Sequence, residues 1–188
     1  MLILGPQGSG KGTQARRLVG ARGLAHVATG DILRGAVAAG TELGRRVAPI
    51  LERGDLVPDD LMIGLIRERL EGEDGYLLDG FPRTIPQAEA LATMLAEIGK
   101  PLDAVILLLV SDDVATERLH ARSISEGRAD DSPEAIRNRL RLYHERTEPL
   151  LERYREDGTL VAVDGEGTVE KVASLIEDAL SGVGASSA

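Results

Sequence analysis

Five short apolar runs alternate with helical patterns along the chain. They span residues 1–4, 25–28, 76–78, 104–110 and 160–163. Apolar runs of this length that lead into helices are typical of parallel strands, because crossover helices cover the sheet and bury both sides of each strand. The pattern therefore predicts an α/β fold, with a five-stranded parallel sheet and helices on both faces.

Two segments interrupt this alternation. Residues 29–58 hold two short helical patterns broken by glycines, and residues 122–131 form a brief polar stretch between two helices. Ligands of open parallel sheets bind at the carboxyl ends of the strands, so insertions there are candidate flaps over a substrate. We expect both segments to belong to a single domain that spans residues 1–188.

Composition excludes several classes of protein. The chain carries 31 acidic and 22 basic residues, a net charge of −9, which argues against a nucleic-acid-coating protein. It has no cysteine, so disulfides and thiolate zinc sites are excluded, and its three histidines lack ligand spacing. No leader or long apolar run is evident, and we therefore expect a cytoplasmic protein without a membrane segment.

A glycine-rich loop follows the first apolar run. Residues 5–13 read Gly-Pro-Gln-Gly-Ser-Gly-Lys-Gly-Thr and open a helix near Lys11. Such a loop turns its N–H groups towards a phosphate, the helix N-terminus adds positive charge, and the lysine neutralises the anion. The usual magnesium-binding Ser or Thr directly after the lysine is replaced by Gly12, with Thr13 following, so direct magnesium ligation is not expected.

Four further segments occur in an order and spacing that resemble one family of P-loop kinases. They are Thr-Gly-Asp-Ile-Leu-Arg at 29–34, Gly-Asp-Leu-Val-Pro-Asp at 54–59, Leu-Asp-Gly-Phe-Pro-Arg-Thr at 78–84 and Gly-Arg-Ala-Asp-Asp at 127–131. With the loop, they resemble the adenylate kinases over about residues 1–167. The resemblance implies a monomer that transfers the γ-phosphoryl group of Mg-ATP to AMP and forms two ADP, with residues 29–58 as a helical AMP-binding insertion and 122–131 as a short lid.

The resemblance also implies roles for individual residues. The catalytic cations would be Lys11, Arg83, Arg122, Arg128 and Arg139. ATP would be bound by Gly8, Ser9, Gly10, Lys11, Gly12, Thr13, Arg118, Arg122 and Gly167. AMP would be bound by Thr29, Arg34, Leu51, Val57, Gly80, Arg83, Gln87, Arg128 and Arg139. Asp79 would hold Mg²⁺ through water, so that no residue ligates the metal directly.

Without the resemblance, most of these residues have ordinary structural interpretations. Thr29 could cap a helix that starts at Gly30. The pair Arg118 and Arg122, four residues apart, could form a solvated basic stripe, and Asp79 could be a capping aspartate. Leu51 and Val57 would be core residues. The sequence Asp-Ser-Pro-Glu at 131–134 predicts a helix start capped by Asp131.

Two alternatives remain open on function. A UMP/CMP kinase shares the loop and the Phe-Pro-Arg turn, but usually has asparagine where this chain has Gln87. A regulatory protein could bind ATP and close without turnover, although the five retained cations argue against it. Zinc is not expected, because the lid is short and cysteine is missing.

Overall fold

A five-stranded sheet forms the centre of the molecule in the computed structural model, which describes residues 1–126 and 132–183. Its strands are all parallel and lie in the order β2-β3-β1-β4-β5. Their bounds are β1 (Leu2–Leu4), β2 (Ala25–Ala28), β3 (Tyr76–Asp79), β4 (Val105–Leu109) and β5 (Leu160–Asp164). The predicted α/β fold and its five strands are confirmed.

Helices cover both faces of this sheet. They are α1 (Lys11–Arg22), α2 (Thr29–Ala38), α3 (Glu42–Arg53), α4 (Asp59–Leu70), α5 (Ile85–Glu97), α6 (Asp112–Glu126), α7 (Pro133–Leu142), α8 (Leu150–Glu156) and α9 (Val169–Val183), with a π-helical turn (Tyr143–Thr147) between α7 and α8. No helix in the described ranges combines the length and apolar character that a bilayer crossing requires.

The central strand shows why the sheet needs cover on both sides. Successive side chains of a strand point to opposite faces, and Leu2 and Leu4 belong to one core cluster while Ile3 belongs to the other. The Ile3 side is covered by α1 and α9, and the opposite side by α2 to α5 and α8. The continuous apolar runs of the sequence therefore reflect strands buried on both faces.

Three local expectations differ from the structure. Helix α2 begins at Thr29 itself, whose hydroxyl donates to the Asp79 carbonyl oxygen (3.1 Å), so Thr29 is not a capping residue. Ser132 caps α7, and its hydroxyl accepts from the Ala135 N–H (3.2 Å), whereas the cap was predicted at Asp131, which lies outside the described residues. Residues 122–126 continue α6, although the lid loop was expected to begin at residue 122. The remainder of that loop, including Arg128, lies outside the described residues.

Candidate active site

The loop between β1 and α1 is held close to the neighbouring helix α6. Gly8 has a φ of +87°, and a Cβ atom there would meet the Ala115 carbonyl oxygen at 2.3 Å. Only glycine tolerates both the left-handed backbone and this approach. The loop ends at Gly10, the residue before α1, so the positive end of that helix lies at the loop.

Lys11 lies across this loop. Its Nζ donates to the carbonyl oxygens of Gly5 and Pro6, each at 2.7 Å, and reaches the Ser9 hydroxyl at 3.4 Å. The pKa of Lys11 is lowered to about 8, mainly by burial; Asp79 opposes this change, and the positive charges of Arg83 and Arg122 contribute to it. An anion in this space would stabilise the charged ammonium form of Lys11, because a nearby opposite charge raises the pKa of a lysine.

The carboxylate of Asp79 reaches the same space at the end of β3. Its side chain is 14% exposed and has the His26 Nε2 atom 3.7 Å away. A Cβ at position 12 would stand 3.4 Å from Asp79 Oδ2, in van der Waals contact, so the carboxylate lies directly beside Gly12. Among the described residues, no cluster of three or more His, Asp or Glu side chains could hold a metal ion. Asp79 is thus an acidic group that lines the cavity beside the loop.

Arginine side chains gather on the other side of Asp79. Arg83 lies in the turn before α5, and its Nε donates to the Gly80 carbonyl oxygen (2.7 Å). The pKa of Arg83 is lowered to about 10, mainly by burial; the positive charges of Arg139 and Arg34 contribute to this change, and Asp79 opposes it. Arg139, on α7, is 8% exposed. The positive charges of these arginines repel one another, and a bound phosphate would relieve that repulsion. The cluster is therefore suited to binding a phosphate.

A single cavity of about 620 Å³ connects the loop with this cluster. The residues that line it include Gly8, Gly10, Lys11, Gly12, Thr13, Thr29, Arg34, Leu51, Val57, Asp79, Gly80, Arg83, Gln87, Arg118, Arg122 and Arg139. Ser9, which belongs to the loop itself, is buried at 2% exposure. Gly167 does not line the cavity, and its binding role stays a prediction.

Helix α6 brings Arg118 and Arg122 to the cavity instead of leaving them as a solvated stripe. Arg118 donates from Nη1 to the carbonyl oxygen of Gly165 (2.9 Å). Glu166 accepts from the backbone N–H of Ser111 (2.8 Å) and from its hydroxyl (2.7 Å), which ties the loop after β5 to the start of α6. These bonds place Arg118 beside the glycine-rich loop after β5.

Aliphatic side chains form another part of the cavity wall. Val57 and Met62 are 7% and 5% exposed, and Leu51 packs against the same core. All three line the cavity. Gln87, 2% exposed, contributes a carboxamide to the same cavity. A planar base against aliphatic walls with one polar edge fits the usual composition of a ligand pocket.

Several residues at the site had no predicted role. Arg16 lines the cavity, Thr147 donates to the Arg83 carbonyl oxygen (2.9 Å), and Asp59 accepts from Gln87 Nε2 (2.7 Å). Arg16 follows Gly12 by one helical turn, so its spacing could have revealed it. Thr147 and Asp59 are distant in sequence from their partners, and no local pattern identifies them.

Comparison with known proteins agrees with this geometry. A family model described as adenylate kinase matches residues 3–159. The chain is 45% identical over 185 residues to an adenylate kinase of Stenotrophomonas maltophilia, covering 97% of this chain and 99% of that protein. It is 49% identical over 183 residues to one of Parasynechococcus marenigrum (96% and 98%), and 48% identical over 184 residues to one of a Caulobacter species (96% and 97%). The chain belongs to the adenylate kinase family.

Proposed function

We propose that this protein transfers the γ-phosphoryl group of Mg-ATP to AMP, reversibly, to give two ADP, and so maintains the balance of adenine nucleotides. The observation that carries the proposal is the single cavity that joins the phosphate loop to the arginine cluster and to Gln87. One continuous space is needed because the phosphoryl group passes directly between two bound nucleotides.

The ATP half is formed by the loop and by α6. The N–H groups of Ser9 and Thr13 donate within the loop, to the carbonyl oxygens of Pro6 and Gly10 (3.1 Å each). The other N–H groups of residues 8–13 and the N-terminus of α1 would bind the phosphates, with Lys11 moving from its carbonyl partners onto the β and γ oxygens. Arg122 would bind the same phosphates. Arg118 and the loop from Gly165 to Gly167 would hold the adenine ring, since a guanidinium plane stacks on aromatic faces.

The AMP half is formed by the insertion and by the start of α5. Arg34, Arg83 and Arg139 would bind the AMP phosphate, and Arg128 is expected to join them from the lid. Thr29 and Gly80 lie beside the end of β3 and would contact the nucleotide there. The Thr29 hydroxyl donates to the carbonyl oxygen of Asp79, the last residue of β3. The base would lie against Leu51 and Val57, with its polar edge towards Gln87.

Transfer needs positioning more than covalent chemistry. An oxygen of the AMP phosphate attacks the γ-phosphorus in line, a new O–P bond forms, and the bond to the β–γ bridging oxygen breaks, which leaves ADP on both sides. No general base is required, because the attacking phosphate is already ionised near neutral pH. Lys11, Arg83, Arg122, Arg128 and Arg139 would neutralise the equatorial oxygens of the transferring group.

Magnesium would reach this site with ATP. Asp79 fits the ion in chemistry, since Mg²⁺ prefers oxygen ligands and retains its waters, and Asp79 presents a carboxylate at the cavity beside Gly12. When bound, Mg²⁺ neutralises the β and γ oxygens of ATP. Asp79 would hold the ion through water, and no protein atom would ligate it directly.

Residues 29–58 and 122–131 would close over the two nucleotides and exclude water that would otherwise hydrolyse ATP. We further propose a cytoplasmic monomer that binds ATP, AMP and ADP, without zinc and without membrane or nucleic-acid partners. The net charge of −9 supports the last point, because a polyanion would be repelled from most of the surface.

Coupled ADP-formation assays with AMP, CMP, UMP and GMP as acceptors test the proposal. AMP should give the highest kcat/KM at saturating Mg-ATP. A preference for CMP or UMP would favour the UMP/CMP kinase alternative. Nucleotide binding without any ADP formation would favour a regulatory ATP-binding protein and would contradict the proposed activity.

A further inference from the structure

The carboxamide of Gln87 is held at both ends. Its Nε2 donates to Asp59 Oδ1 (2.7 Å), and its Oε1 accepts from the backbone N–H of Arg83 (2.8 Å). Asp59 is the first residue of α4, whereas Arg83 precedes α5. Two separate segments therefore fix a side chain that is 2% exposed and lines the cavity.

These two partners allow only one orientation of the amide. An ionised carboxylate accepts hydrogen bonds and a backbone N–H donates them. Rotating the amide by half a turn would place its oxygen against the carboxylate of Asp59 and its NH₂ group against the N–H of Arg83. Both contacts would then be repulsive, so the nitrogen stays towards Asp59.

The fixed orientation determines what Gln87 offers to a ligand. One N–H of Nε2 and one lone pair of Oε1 remain after the two protein bonds, a donor beside an acceptor. Adenine matches this edge with the N1 acceptor beside the N6 amino group. A 6-oxopurine presents the reverse, an N1–H donor beside the O6 acceptor. With the amide fixed, its donor would face the remaining N–H of Gln87 and its acceptor would face the remaining lone pair.

We propose that Asp59 makes the monophosphate site selective for 6-aminopurines over 6-oxopurines by preventing Gln87 from turning. Asp59 is a positioning residue, because it acts through Gln87 and not on the base. The inference rests on the proposed function, in which the base of AMP lies against Gln87. Selectivity here is a difference between two affinities, and the fixed amide penalises the wrong base as well as favouring the right one.

The test compares Asp59→Asn with Asp60→Asn. Asparagine offers both a donor and an acceptor, so Gln87 can turn without meeting repulsion at position 59. Asp60 is the exposed neighbour in the first turn of α4, and Asp60→Asn removes the same charge from the same helix N-terminus. The readout is the ratio of kcat/KM for AMP to kcat/KM for IMP, at saturating Mg-ATP.

Asp59→Asn should lower this ratio by roughly tenfold, mostly through a higher KM for AMP and a lower KM for IMP, with the KM for ATP unchanged. Asp60→Asn should leave the ratio within about twofold. Asp59→Glu, which retains an acceptor without a donor, should preserve most of the selectivity. If the asparagine variant does not fold, Asp59→Ser tests the same point, since its hydroxyl can also donate.

An equal loss with AMP and IMP in Asp59→Asn would show that Asp59 has only a structural role, and an unchanged ratio would also overturn the proposal. Both results leave the proposed function intact if the wild type uses AMP. A wild-type protein that phosphorylates neither AMP nor IMP would instead contradict the proposed function itself.

Discussion

Lys11 illustrates at the scale of one residue how the site is prepared for an anion. Its ammonium group is satisfied by the two carbonyl oxygens of Gly5 and Pro6, yet burial still lowers its pKa to about 8. Neutral carbonyl partners compensate only part of the lost hydration of a buried charge. A triphosphate would supply the missing negative charge.

Lys11→Met should therefore abolish transfer and leave the fold intact. Groups that stabilise developing charge in this way contribute on the order of 3 kcal/mol or more, so kcat should fall by well over tenfold. Kinetics and the far-UV CD spectrum are measured together. Arg17→Met, on the outer side of the same helix with a half-exposed side chain, is the matched control. Retention of more than roughly a tenth of wild-type kcat would refute the assigned role of the loop.

At the scale of elements, the insertion is joined to α7 where α3 ends. Gly54 has a φ of +72°, and a Cβ there would stand 2.7 Å from the Ala135 carbonyl oxygen and 3.0 Å from Arg139 Cγ. Asn138 Nδ2 also donates to the Arg53 carbonyl oxygen (2.8 Å). The junction therefore couples the position of the insertion to that of Arg139.

Gly54→Ala should destabilise the protein by about 1–3 kcal/mol, because it combines backbone strain with a backbone clash, and should raise the KM for AMP by displacing Arg139. Gly35→Ala is the control, since Gly35 lies within α2 with open space around it. That change should stabilise the helix by about 0.5–1 kcal/mol. Urea unfolding measures the stability of each variant, and kinetics measure its KM for AMP. Equal stabilities for the two variants would contradict the proposed close contact between Gly54 and α7.

His144, in the π-helical turn, contacts the first residue of α6 and Glu148, just after the turn. Its Nδ1 lies 2.8 Å from Glu148 Oε2 and its Nε2 lies 3.0 Å from Asp112 Oδ1. The hydrogen bond to Glu148 and, next, the one to Asp112 raise the pKa of His144 above its ordinary value of 6.5. The folded state thus binds the proton more tightly than the unfolded state, which adds stability below pH 6.5 that is lost as pH rises through the raised pKa.

The difference in Tm between wild type and His144→Gln should consequently be largest near pH 6 and should shrink towards pH 9. Thermal melts at several pH values measure it, with His120→Gln, at an exposed position on α6, as the matched control. A Tm difference that stays constant or grows with rising pH would show that His144 does not act through its charge.

The sequence predicted the elements better than their ends. Apolar runs identify strands buried on both faces, and they located all five strands to within one residue at every end, whereas the helix ends were predicted less well. The cap of α7 was predicted at Asp131, because two adjacent residues, Asp131 and Ser132, both suit a cap and the local sequence does not distinguish them. Helix α6 runs on to Glu126 because no glycine or proline stops it before Gly127.

Candidate site residues could be predicted where they belong to a contiguous sequence motif. Residues whose hydrogen-bond partners lie in distant segments were not predicted. The loop around Lys11 and the turn around Arg83 were evident from local sequence. Asp59 was part of a recognised segment, but its bond to Gln87 spans 28 residues and depends on how α4 packs against α5. Such long-range hydrogen bonds follow from tertiary packing, which local patterns do not encode.

At the scale of the whole molecule, the short lid implies independence from zinc. Activity should survive exhaustive chelation of zinc and should depend only on added Mg²⁺. A structural zinc ion contributes directly to folding, so its removal would lower the Tm. Melts with and without a zinc-specific chelator, together with assays at fixed free Mg²⁺, provide the measurement. A marked fall in Tm on chelation would contradict the expectation.

The central claim, direct transfer between two nucleotides in one cavity, is tested most directly by ³¹P NMR of a mixture approaching equilibrium from both sides. Starting from Mg-ATP and AMP, each ATP consumed should consume one AMP and yield two ADP, and the same total amount of ADP with Mg²⁺ should yield the same final mixture. Lys11→Met should prevent both conversions. Loss of ATP that releases inorganic phosphate, or that proceeds equally well without AMP, would contradict the account.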